Sequence, residues 1–382
     1  MIHSASVRSV SYAFLFTLQH TAATIPILLT EFSDVLDQGS TPARIYAMFP
    51  GAGHSDTGVL GEPESGSWAS GQPDTAVLIG RFQPPHRAHL ALIRQALESA
   101  EELVLVLGSA RSARTVRNPL TDTERAGLIA EMLAGQGVDL RRVRLEAVPD
   151  FFYNLPLWVQ AVRRVVGAER ATLHGFEKDA SSFYLRLFPD WRFAPPRFQS
   201  GLNAGDVREA LYAGDWQVVE RAVTPEVLAG LRKFADTPAF AELLADRQAI
   251  QAVAQRGPVR SAGVLLVAGN HMLLKRRTER PGLGLWAIPE GRDTWDAARS
   301  ATRLLSRKLL ESEEFRSRVL NAAGRTPGLD WQTEVTLYTL PQRVPPGPGA
   351  EWVALSALQR VPETFFADHA QGITALLEDW PV

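Results

Sequence analysis

Short apolar runs alternate with amphipathic segments in the middle of the chain. The runs Thr75–Ile79 and Leu103–Leu107 are typical of buried strands, because a strand covered on both faces of a parallel sheet is continuously apolar. Between them, Leu90, Ile93 and Leu97 recur at helical spacing. Because strands and helices alternate in this way, the pattern predicts a doubly wound α/β domain built on a parallel sheet.

Two further signals extend this pattern. Thr121, with Glu124 three residues later, forms a capping box that predicts a helix through about Leu133. The segment Arg142–Ala147 predicts a third strand. Right-handed crossovers between parallel strands place ligands at the carboxyl ends of the strands, so we expect the candidate chemistry there.

The pattern changes after a helical stretch. Residues 206–255 are largely helical by pattern, with Pro225 and Pro238 as interruptions. The dipeptide Gly257-Pro258 then marks a boundary, because both residues break regular structure.

The last third of the chain has the pattern of an α+β domain. The turn dipeptide Gly269-Asn270 separates the strand-like runs Gly263–Val267 and Met272–Lys275. Residues 295–310 are helical by pattern, and Glu334–Leu340 predicts another strand.

We therefore predict three parts: a disordered or mis-assigned extension over residues 1–73, an α/β domain over 74–257 and an α+β domain over 258–382. Within the extension, polar residues interrupt the apolar stretch 11–29. That stretch is weak as a signal peptide, and also as a membrane span, which needs about 20 apolar residues. Residues 38–73 are rich in Gly, Ser, Pro and Asp, which predicts a flexible linker.

Composition adds mainly exclusions. The 382 residues carry a formal net charge of −2, so no strong field favours nucleic acid or an anionic membrane as a partner. The absence of cysteine excludes disulfides, thiolate metal sites and thiol nucleophiles, and it fits a cytoplasmic protein. Composition does not set the oligomeric state, and a homo-oligomer is compatible with it.

The candidate phosphate site is the segment Gly80–His89, GRFQPPHRAH, directly after the first predicted strand. Gly80 allows a tight turn and a close approach of the backbone. His86 and His89 stand at the entry of the next helix, where backbone N–H groups and the positive helix end favour a triphosphate. The alternative is two solvated histidines near a helix cap, but the position between strand and helix favours a functional motif.

Three arginines, Arg111, Arg114 and Arg117, follow the second predicted strand. A guanidinium makes forked contacts to phosphate oxygens, so this cluster is a candidate substrate site. The alternative is a solvated basic loop.

At these residues the sequence resembles the HxGH nucleotidyltransferase superfamily and, more closely, the bifunctional nicotinamide mononucleotide adenylyltransferase/Nudix proteins of bacteria. The family motif GRFQPxHxGH is GRFQPPHRAH here, with Ala88 in place of a glycine. The resemblance continues over about 130 residues, through Gly108–Arg114, Arg117–Pro119, Thr121–Arg125, Asp150, Tyr153-Asn154, Trp158 and Lys178–Leu185.

The resemblance implies an enzyme that transfers AMP from ATP to nicotinamide mononucleotide, giving NAD and pyrophosphate. It implies Mg²⁺ as the cofactor, bridging triphosphate oxygens with few protein ligands. It implies His86, His89 and Arg208 as catalytic residues. It further implies an ATP site of Gly80, Arg81, Phe82, Gln83, His86, His89 and Arg208, and an acceptor site of Arg111, Arg114, Arg117, Asn118, Asn154 and Trp158.

Two parts of this assignment have their own chemistry. Trp158 follows Asn154 by one helical turn, so it could stack on a nicotinamide ring while Asn154 binds the carboxamide; the alternative is a core tryptophan. In the second nucleotide motif, which ends at Arg208, Asn203 and Gly205 stand where the family often has hydroxyl residues. We expect this departure to weaken ATP binding.

Residues 263–310 resemble a Nudix domain, including the segment Gly282–Pro289. A working Nudix helix carries glutamates that bind Mg²⁺, but the aligned segment Arg303–Lys308 has Leu304, Arg307 and Lys308 at these positions. Cations cannot supply the oxygen ligands of Mg²⁺. The first loop glycine has also become Glu290. A different alignment would use the later glutamates Glu311, Glu313 and Glu314.

Two other functions stay open at this point. One is a different adenylyl- or cytidylyltransferase of the same superfamily, because the phosphate motif does not identify the acceptor. The other is a non-catalytic nucleotide sensor, which Gly205, Leu304 and Lys308 favour and which His86 and His89 oppose.

We expect residues 258–382 not to hydrolyse ADP-ribose, because the helix that should bind Mg²⁺ carries cationic and apolar side chains. The measurement is release of AMP from ADP-ribose by the isolated segment with Mg²⁺. Metal-dependent release above the rate without protein would contradict the prediction.

Overall fold

The computed structural model of the chain describes residues 75–177, 180–302, 316–322, 325–326 and 328–378. These residues form a parallel sheet with helices and a second, mixed sheet. The predicted extension 1–73 lies outside the described residues, as do the Nudix-aligned segment Arg303–Lys308 and the alternative glutamates Glu311, Glu313 and Glu314.

The first sheet has five parallel strands, in the order β3-β2-β1-β4-β5. They are β1 (Thr75–Gly80), β2 (Glu102–Leu107), β3 (Val143–Ala147), β4 (Ala171–His174) and β5 (Arg192–Ala194). The order reverses direction between β1 and β4, and a crevice opens at the carboxyl ends of the strands at such a point. The predicted doubly wound α/β fold is confirmed.

Helices connect these strands and continue beyond them. They are α1 (Arg87–Ser99), α2 (Asp122–Gly135), α3 (Leu155–Val166), α4 (Ala204–Ala213), α5 (Trp216–Ala222), α6 (Pro225–Ala235) and α7 (Pro238–Ala254), with short 3₁₀ helices at Leu140–Arg142 and Ala180–Arg186. Pro225 and Pro238 each open a helix, where a missing N–H costs nothing.

Both faces of β1 are buried, which explains its continuous apolar run. Ala76 and Leu78 face a core shared with α1, α2 and the later helices. Val77 and Ile79 face the opposite core, which includes residues of α3. Since the strand has no solvated face, its chemistry is confined to its end.

The predicted capping box is present at the start of α2. Thr121 Oγ1 accepts a hydrogen bond from the Glu124 amide at 3.1 Å, and Glu124 Oε2 accepts one from the Thr121 amide at 2.8 Å. Two of the helix's free N–H groups are thereby satisfied.

The second sheet is mixed, as the sequence predicts for an α+β domain. Its strands are β6 (Val259–Ala268), β7 (His271–Arg276), β8 (Trp286–Ala287), β9 (Glu290–Gly291), β10 (Arg316–Leu320), β11 (Trp331–Thr339) and β12 (Ala350–Ala354). The main order is β10-β11-β6-β7-β12, with β8 beside β7 and β9 beside β6. The described helices are α8 (Thr294–Ala301), α9 (Ala357–Arg360), a 3₁₀ turn at Pro362–Thr364 and α10 (His369–Leu377).

Two details of this domain differ from the sequence prediction. The strand predicted from Glu334 begins three residues earlier, at Trp331, because β11 pairs along its whole length with β6. Of the helix predicted over residues 295–310, the described part ends at Ala301 and Thr302 is extended, while residues 303–310 lie outside the described residues. The Thr302 hydroxyl donates to the Pro345 carbonyl at 2.8 Å, an alternative to continuing the helix.

Among the described residues, every helix is too short or too polar to cross a membrane.

Two helical glycines provide a matched test of the packing between α2 and α6. A methyl group on Gly230 would lie 2.2 Å from Cδ2 of the buried Leu128, whereas one on the exposed Gly127 meets nothing within 4 Å. We expect Gly230→Ala to lower the unfolding free energy by about 1–3 kcal/mol through overpacking. Gly127→Ala should raise it by about 0.5–1 kcal/mol through helix propensity. Urea denaturation measures both, and an equal gain in the two variants would contradict the packing argument.

Candidate active site

The carboxyl end of β1 turns sharply through the predicted phosphate motif. The Gly80 carbonyl accepts a hydrogen bond from the Gly108 amide at 2.9 Å, which joins the turns after β1 and β2. Phe82 is buried with a φ of 49°, and a Cβ on Gly80 would lie 3.1 Å from its ring. A larger residue at position 80 would therefore press against the Phe82 ring.

The side chain of Gln83 bonds the turn after β1 to the backbone of Leu120. Its Nε2 donates to the Leu120 carbonyl at 2.7 Å, and its Oε1 accepts from the Leu120 amide at 3.0 Å. Both ends of the amide are thus engaged inside the protein. The binding of ATP by Phe82 and Gln83 stays a prediction.

The two motif histidines lie together at the start of α1. His86 precedes the helix as its N-cap, and its amide donates to His89 Nδ1 at 3.2 Å. The two rings stack with centroids 3.6 Å apart. His86 is buried and His89 is partly exposed, so the pair presents an edge to the site beside the positive end of the helix. Ala88 is buried within the first turn, where an alanine fits without strain.

Arg81, Arg117 and Arg208 form a cluster of guanidinium groups at this edge of the sheet. Burial, followed by the positive charges of Arg117 and Arg208, lowers the pKa of Arg81 to about 10. Burial also lowers the pKa of Arg208, whose Nη1 donates to the Gln83 carbonyl at 2.7 Å. Partly buried like charges that repel each other form a site that an anion stabilises.

Only one of the three arginines predicted after the second strand joins this cluster. Arg114 pairs with Glu124 at 2.6 Å, and the same Arg114 nitrogen donates to the Pro119 carbonyl. Burial acts to raise the pKa of Glu124, but hydrogen bonds from Arg114 and Thr121 hold it below its usual value. Arg111 donates to backbone carbonyls of Gln359 and Arg360 in the second domain.

Arg125 and Asp150 are site residues that our residue-by-residue prediction omitted. Arg125 is fully buried in α2 and donates to the carbonyls of Arg81, Gly108 and Ser109, which gathers the turns after β1 and β2. Burial raises the pKa of Asp150, although a hydrogen bond with Ser109 and the charge of Arg81 oppose this. Both residues belong to the segments that carry the family resemblance, which was the available signal.

Asn118 lies in a tight turn next to these residues. Its backbone N–H donates to Thr115 Oγ1 at 3.0 Å. Within the described part of the chain, its buried Oδ1 has no hydrogen-bond partner. A buried acceptor of this kind favours a ligand donor in the site.

The predicted acceptor residues lie at the start of α3. Asn154 is the N-cap: its Oδ1 accepts from the Leu157 amide at 3.2 Å, and its Nδ2 donates to Glu378 at 3.0 Å. Trp158 packs near Tyr184 and Phe188, with centroids 6.4 and 6.1 Å away, but keeps part of its surface exposed. It is therefore a core contact with one side still available for stacking.

The second nucleotide motif opens α4 without a hydroxyl. Asn203 caps this helix, since its Oδ1 accepts from the Asp206 amide at 3.0 Å. A Cβ on Gly205 would lie 2.7 Å from that same Oδ1. The two departures from the family pattern are thus linked, because Gly205 makes room for an asparagine that caps as well as a serine would.

Comparison with known proteins identifies the family of this chain. A family model for cytidylyltransferase-like proteins matches residues 77–148. The nicotinamide/nicotinic acid mononucleotide adenylyltransferase of Acinetobacter baylyi is 34% identical over 176 residues, which cover 44% of this chain and 91% of that protein. The chain belongs to this adenylyltransferase family.

Other relatives agree. The nicotinamide-nucleotide adenylyltransferase of Aeropyrum pernix is 34% identical over 154 residues, covering 40% of this chain and 86% of that protein. The crystal structure of a bifunctional NMN adenylyltransferase/ADP ribose pyrophosphatase from Francisella tularensis covers 81% of this chain and 99% of that chain, with a TM-score of 0.72 and 25% identity. The match includes the second domain, so the resemblance to the adenylyltransferase/Nudix architecture is confirmed.

Histidine, aspartate and glutamate are the side chains here that could hold a metal ion, since the chain has no cysteine. Within the described ranges, no group of three or more His, Asp or Glu side chains could hold a metal ion. Guanidinium groups dominate this edge of the sheet instead. The donor set fits an ion that arrives with the nucleotide and keeps phosphate and water ligands.

A third histidine lies at the carboxyl edge of the sheet, outside the predicted motif. His174 ends β4, is 2% exposed and, within the part of the chain that the structure describes, has no hydrogen-bond partner at either ring nitrogen. Burial, and then the charge of Arg197, lowers its pKa to about 4. The imidazole is therefore neutral at physiological pH.

This buried imidazole predicts a loss of stability in mild acid. As the pH falls from 7 to 5, an unfolded histidine binds a proton while His174 stays neutral down to about pH 4, so the unfolded state is favoured. We expect this residue to account for about 2 kcal/mol of lost unfolding free energy over that interval. Urea denaturation at pH 7 and pH 5 should show a smaller loss in His174→Leu. Equal losses in both proteins would contradict the assignment.

Proposed function

We propose that the chain synthesises NAD by transferring the AMP group of ATP to nicotinamide mononucleotide. The observation that carries the proposal is the cluster of Arg81, Arg117 and Arg208 beside the stacked His86 and His89. It lies at the carboxyl end of β1, where the strand order of the sheet reverses. Family membership supports the same reaction.

The arginine cluster and the start of α1 suit the triphosphate. Three guanidinium groups that repel one another gain from an anion with several oxygens. The positive end of α1, next to His89, would also favour phosphate oxygens. In this arrangement Gly80 provides backbone access, while Phe82 and Gln83 fix the turn.

The chemistry needs no protein nucleophile. A phosphate oxygen of nicotinamide mononucleotide attacks the α-phosphorus of ATP; the bond to the oxygen that bridges α and β breaks, and pyrophosphate leaves with that electron pair. The chain's own contribution is to align the two phosphates and to stabilise the negative charge that moves to the leaving group. Arg208, His86 and His89 would perform this second task.

We propose Mg²⁺ as the divalent ion. When bound, it would supply positive charge that offsets the negative charge of the phosphates. The residues at the site fit an ion carried by the nucleotide, since the neighbouring side chains are cationic and the nearby Asp150 is engaged with Ser109. A related structure from Francisella tularensis, similar in fold, was determined with AMP and a manganese ion.

The acceptor nucleotide would lie between the turn after β2 and the start of α3. There Arg117 would face phosphate, the buried Oδ1 of Asn118 would accept from a donor of the nucleotide, and Trp158 would offer its exposed side to the nicotinamide ring. Asn154 keeps a second N–H and a carbonyl lone pair for the carboxamide, because its present bonds use one of each. Arg114 would act indirectly, by tying the loop to Glu124.

The remaining assignments are also proposals. We propose domains over residues 74–257 and 258–382, no ADP-ribose hydrolysis by the second, and action in the cytoplasm on ATP and nicotinamide mononucleotide. Neither nucleic acid nor a membrane is a proposed partner, and a homo-oligomer is compatible with the fold.

A single assay tests the proposal. Purified chain with ATP, Mg²⁺ and nicotinamide mononucleotide should form NAD and pyrophosphate in equal amounts. Nicotinate mononucleotide, phosphopantetheine and choline phosphate serve as competing acceptors. Absence of NAD formation, or clear preference for phosphopantetheine or choline phosphate, would reject the proposed function.

We expect His89→Ala to lower turnover by about 10²–10³-fold, since it removes a donor aimed at developing charge. Its melting temperature should stay near that of the wild type, because the ring is partly exposed. His271→Ala, in β7 of the second domain, is the matched control and should retain activity. Unchanged turnover in His89→Ala would contradict a catalytic role for this residue.

A further inference from the structure

The turn before α3 is bonded to the second domain. The Tyr153 hydroxyl donates to Asp368 Oδ2 and accepts from the Ala322 amide at 3.3 Å. The next residue, Asn154, donates to Glu378 at 3.0 Å. The turn that bears the proposed acceptor residues is thus attached to the second domain at two successive side chains.

Asp368 is itself rigidly held. It is 0% exposed, and its Oδ1 lies 2.9 Å from Nε of the buried Arg325. Arg325 also donates to Thr333 Oγ1 at 3.2 Å. A buried carboxylate with an ion-pair partner has few alternative positions, because leaving that partner would strand a charge in the interior.

The buried network continues to the residue that replaces a Nudix glycine. Arg325 Nη2 lies 3.2 Å from His369 Nε2, and His369 Nδ1 accepts from the Ile288 amide at 2.9 Å. Glu290 Oε1 lies 3.4 Å from His369 Nε2. Burial acts to raise the pKa of Glu290, but His369 holds it below its usual value.

Glu290 is anchored in turn by Ser261, whose Oγ donates to Glu290 Oε2 at 2.9 Å. A continuous chain of polar contacts therefore runs from β6 and β9 through His369, Arg325 and Asp368 to Tyr153. A buried network of this kind restricts the positions of its members, because each polar group has its neighbour in the network as a partner.

The protonation state of Tyr153 suits its place at the end of this polar network. Burial, and then the negative charge of Asp368, raises the pKa of Tyr153, so the phenol keeps its proton and remains a donor. A second link runs in parallel, since Arg111 donates to the carbonyls of Gln359 and Arg360. Both loops proposed to contact the acceptor nucleotide are held by the second domain.

We propose that the second domain is a positioning element of the adenylyltransferase site, in which Asp368 fixes the Tyr153-Asn154 turn in the geometry that binds the acceptor nucleotide. The inference rests on the proposed function and deepens it. It gives the second domain a task that is independent of hydrolysis: the glutamate that replaces a Nudix glycine supports the neighbouring site through His369, Arg325 and Asp368.

The main test is Tyr153→Phe, which removes one hydroxyl and keeps the ring. We expect KM for nicotinamide mononucleotide to rise about tenfold, the scale of a lost hydrogen bond to a charged group. KM for ATP should stay within about twofold, because the triphosphate contacts lie on other loops. Tyr338→Phe, in the core of the second domain, is the matched control and should change neither constant.

Asp368→Asn and Asp368→Ala complete the series. We expect Asp368→Ala to raise KM for nicotinamide mononucleotide. Asp368→Asn keeps an acceptor for the Tyr153 hydroxyl, so its KM should lie much closer to the wild-type value than that of Asp368→Ala. Circular dichroism melts identify the folded fraction of each variant. A merely structural role would lower the amount of active enzyme, and so kcat, without separating the two KM values.

The possible outcomes distinguish the positioning role from the proposed function. An active wild type in which folded Tyr153→Phe leaves KM for nicotinamide mononucleotide unchanged, or raises both KM values equally, rejects the positioning role and leaves the proposed function intact. A wild type that forms no NAD rejects both. The acceptor-specific rise in Tyr153→Phe, together with rescue by asparagine at 368, supports the proposal.

Discussion

A parallel sheet buried on both faces leaves only the ends of its strands for chemistry. β1 is apolar along its length because Ala76 and Leu78 face one core while Val77 and Ile79 face the other. Every polar group that the reaction needs must therefore gather at the carboxyl edge, where the chain turns from strand to helix. Repulsion among the guanidinium groups gathered there favours a bound anion, which is the basis of the proposed triphosphate site.

Buried side chains hold the turns that carry these charged groups. Arg125 performs this task for the turns after β1 and β2, since one buried guanidinium collects the carbonyls of both. Gln83 does the same between the first turn and Leu120. Such internal hydrogen bonds determine where the side chains of the proposed site are held.

The second domain also contributes buried polar contacts that hold a turn of the first domain. Its buried polar network ends on Tyr153, beside the proposed acceptor residues. Glu290 contacts both His369 and Ser261 in this network. The polar contacts of the second domain thus reach the turn before α3 without any requirement for hydrolysis.

The sequence alone determined β1, β2, β3, β6, β7 and β11, the helices α1 and α2, the capping box at Thr121 and the position of the GRFQPPHRAH motif between strand and helix, because these depend on local periodicity and short-range hydrogen bonds. The short strands β4, β5, β8, β9, β10 and β12 were not predicted. The sequence could not determine which of Arg111, Arg114 and Arg117 would face the site. Only the tertiary structure decided that Arg114 pairs with Glu124, Arg111 bonds the second domain and Arg117 joins Arg81 and Arg208. It also decided that Asn154 contacts Glu378, more than 200 residues away. The reason is physical: a side chain's partner depends on which distant charges the fold brings within a few ångströms, and spacing along the chain carries no record of that.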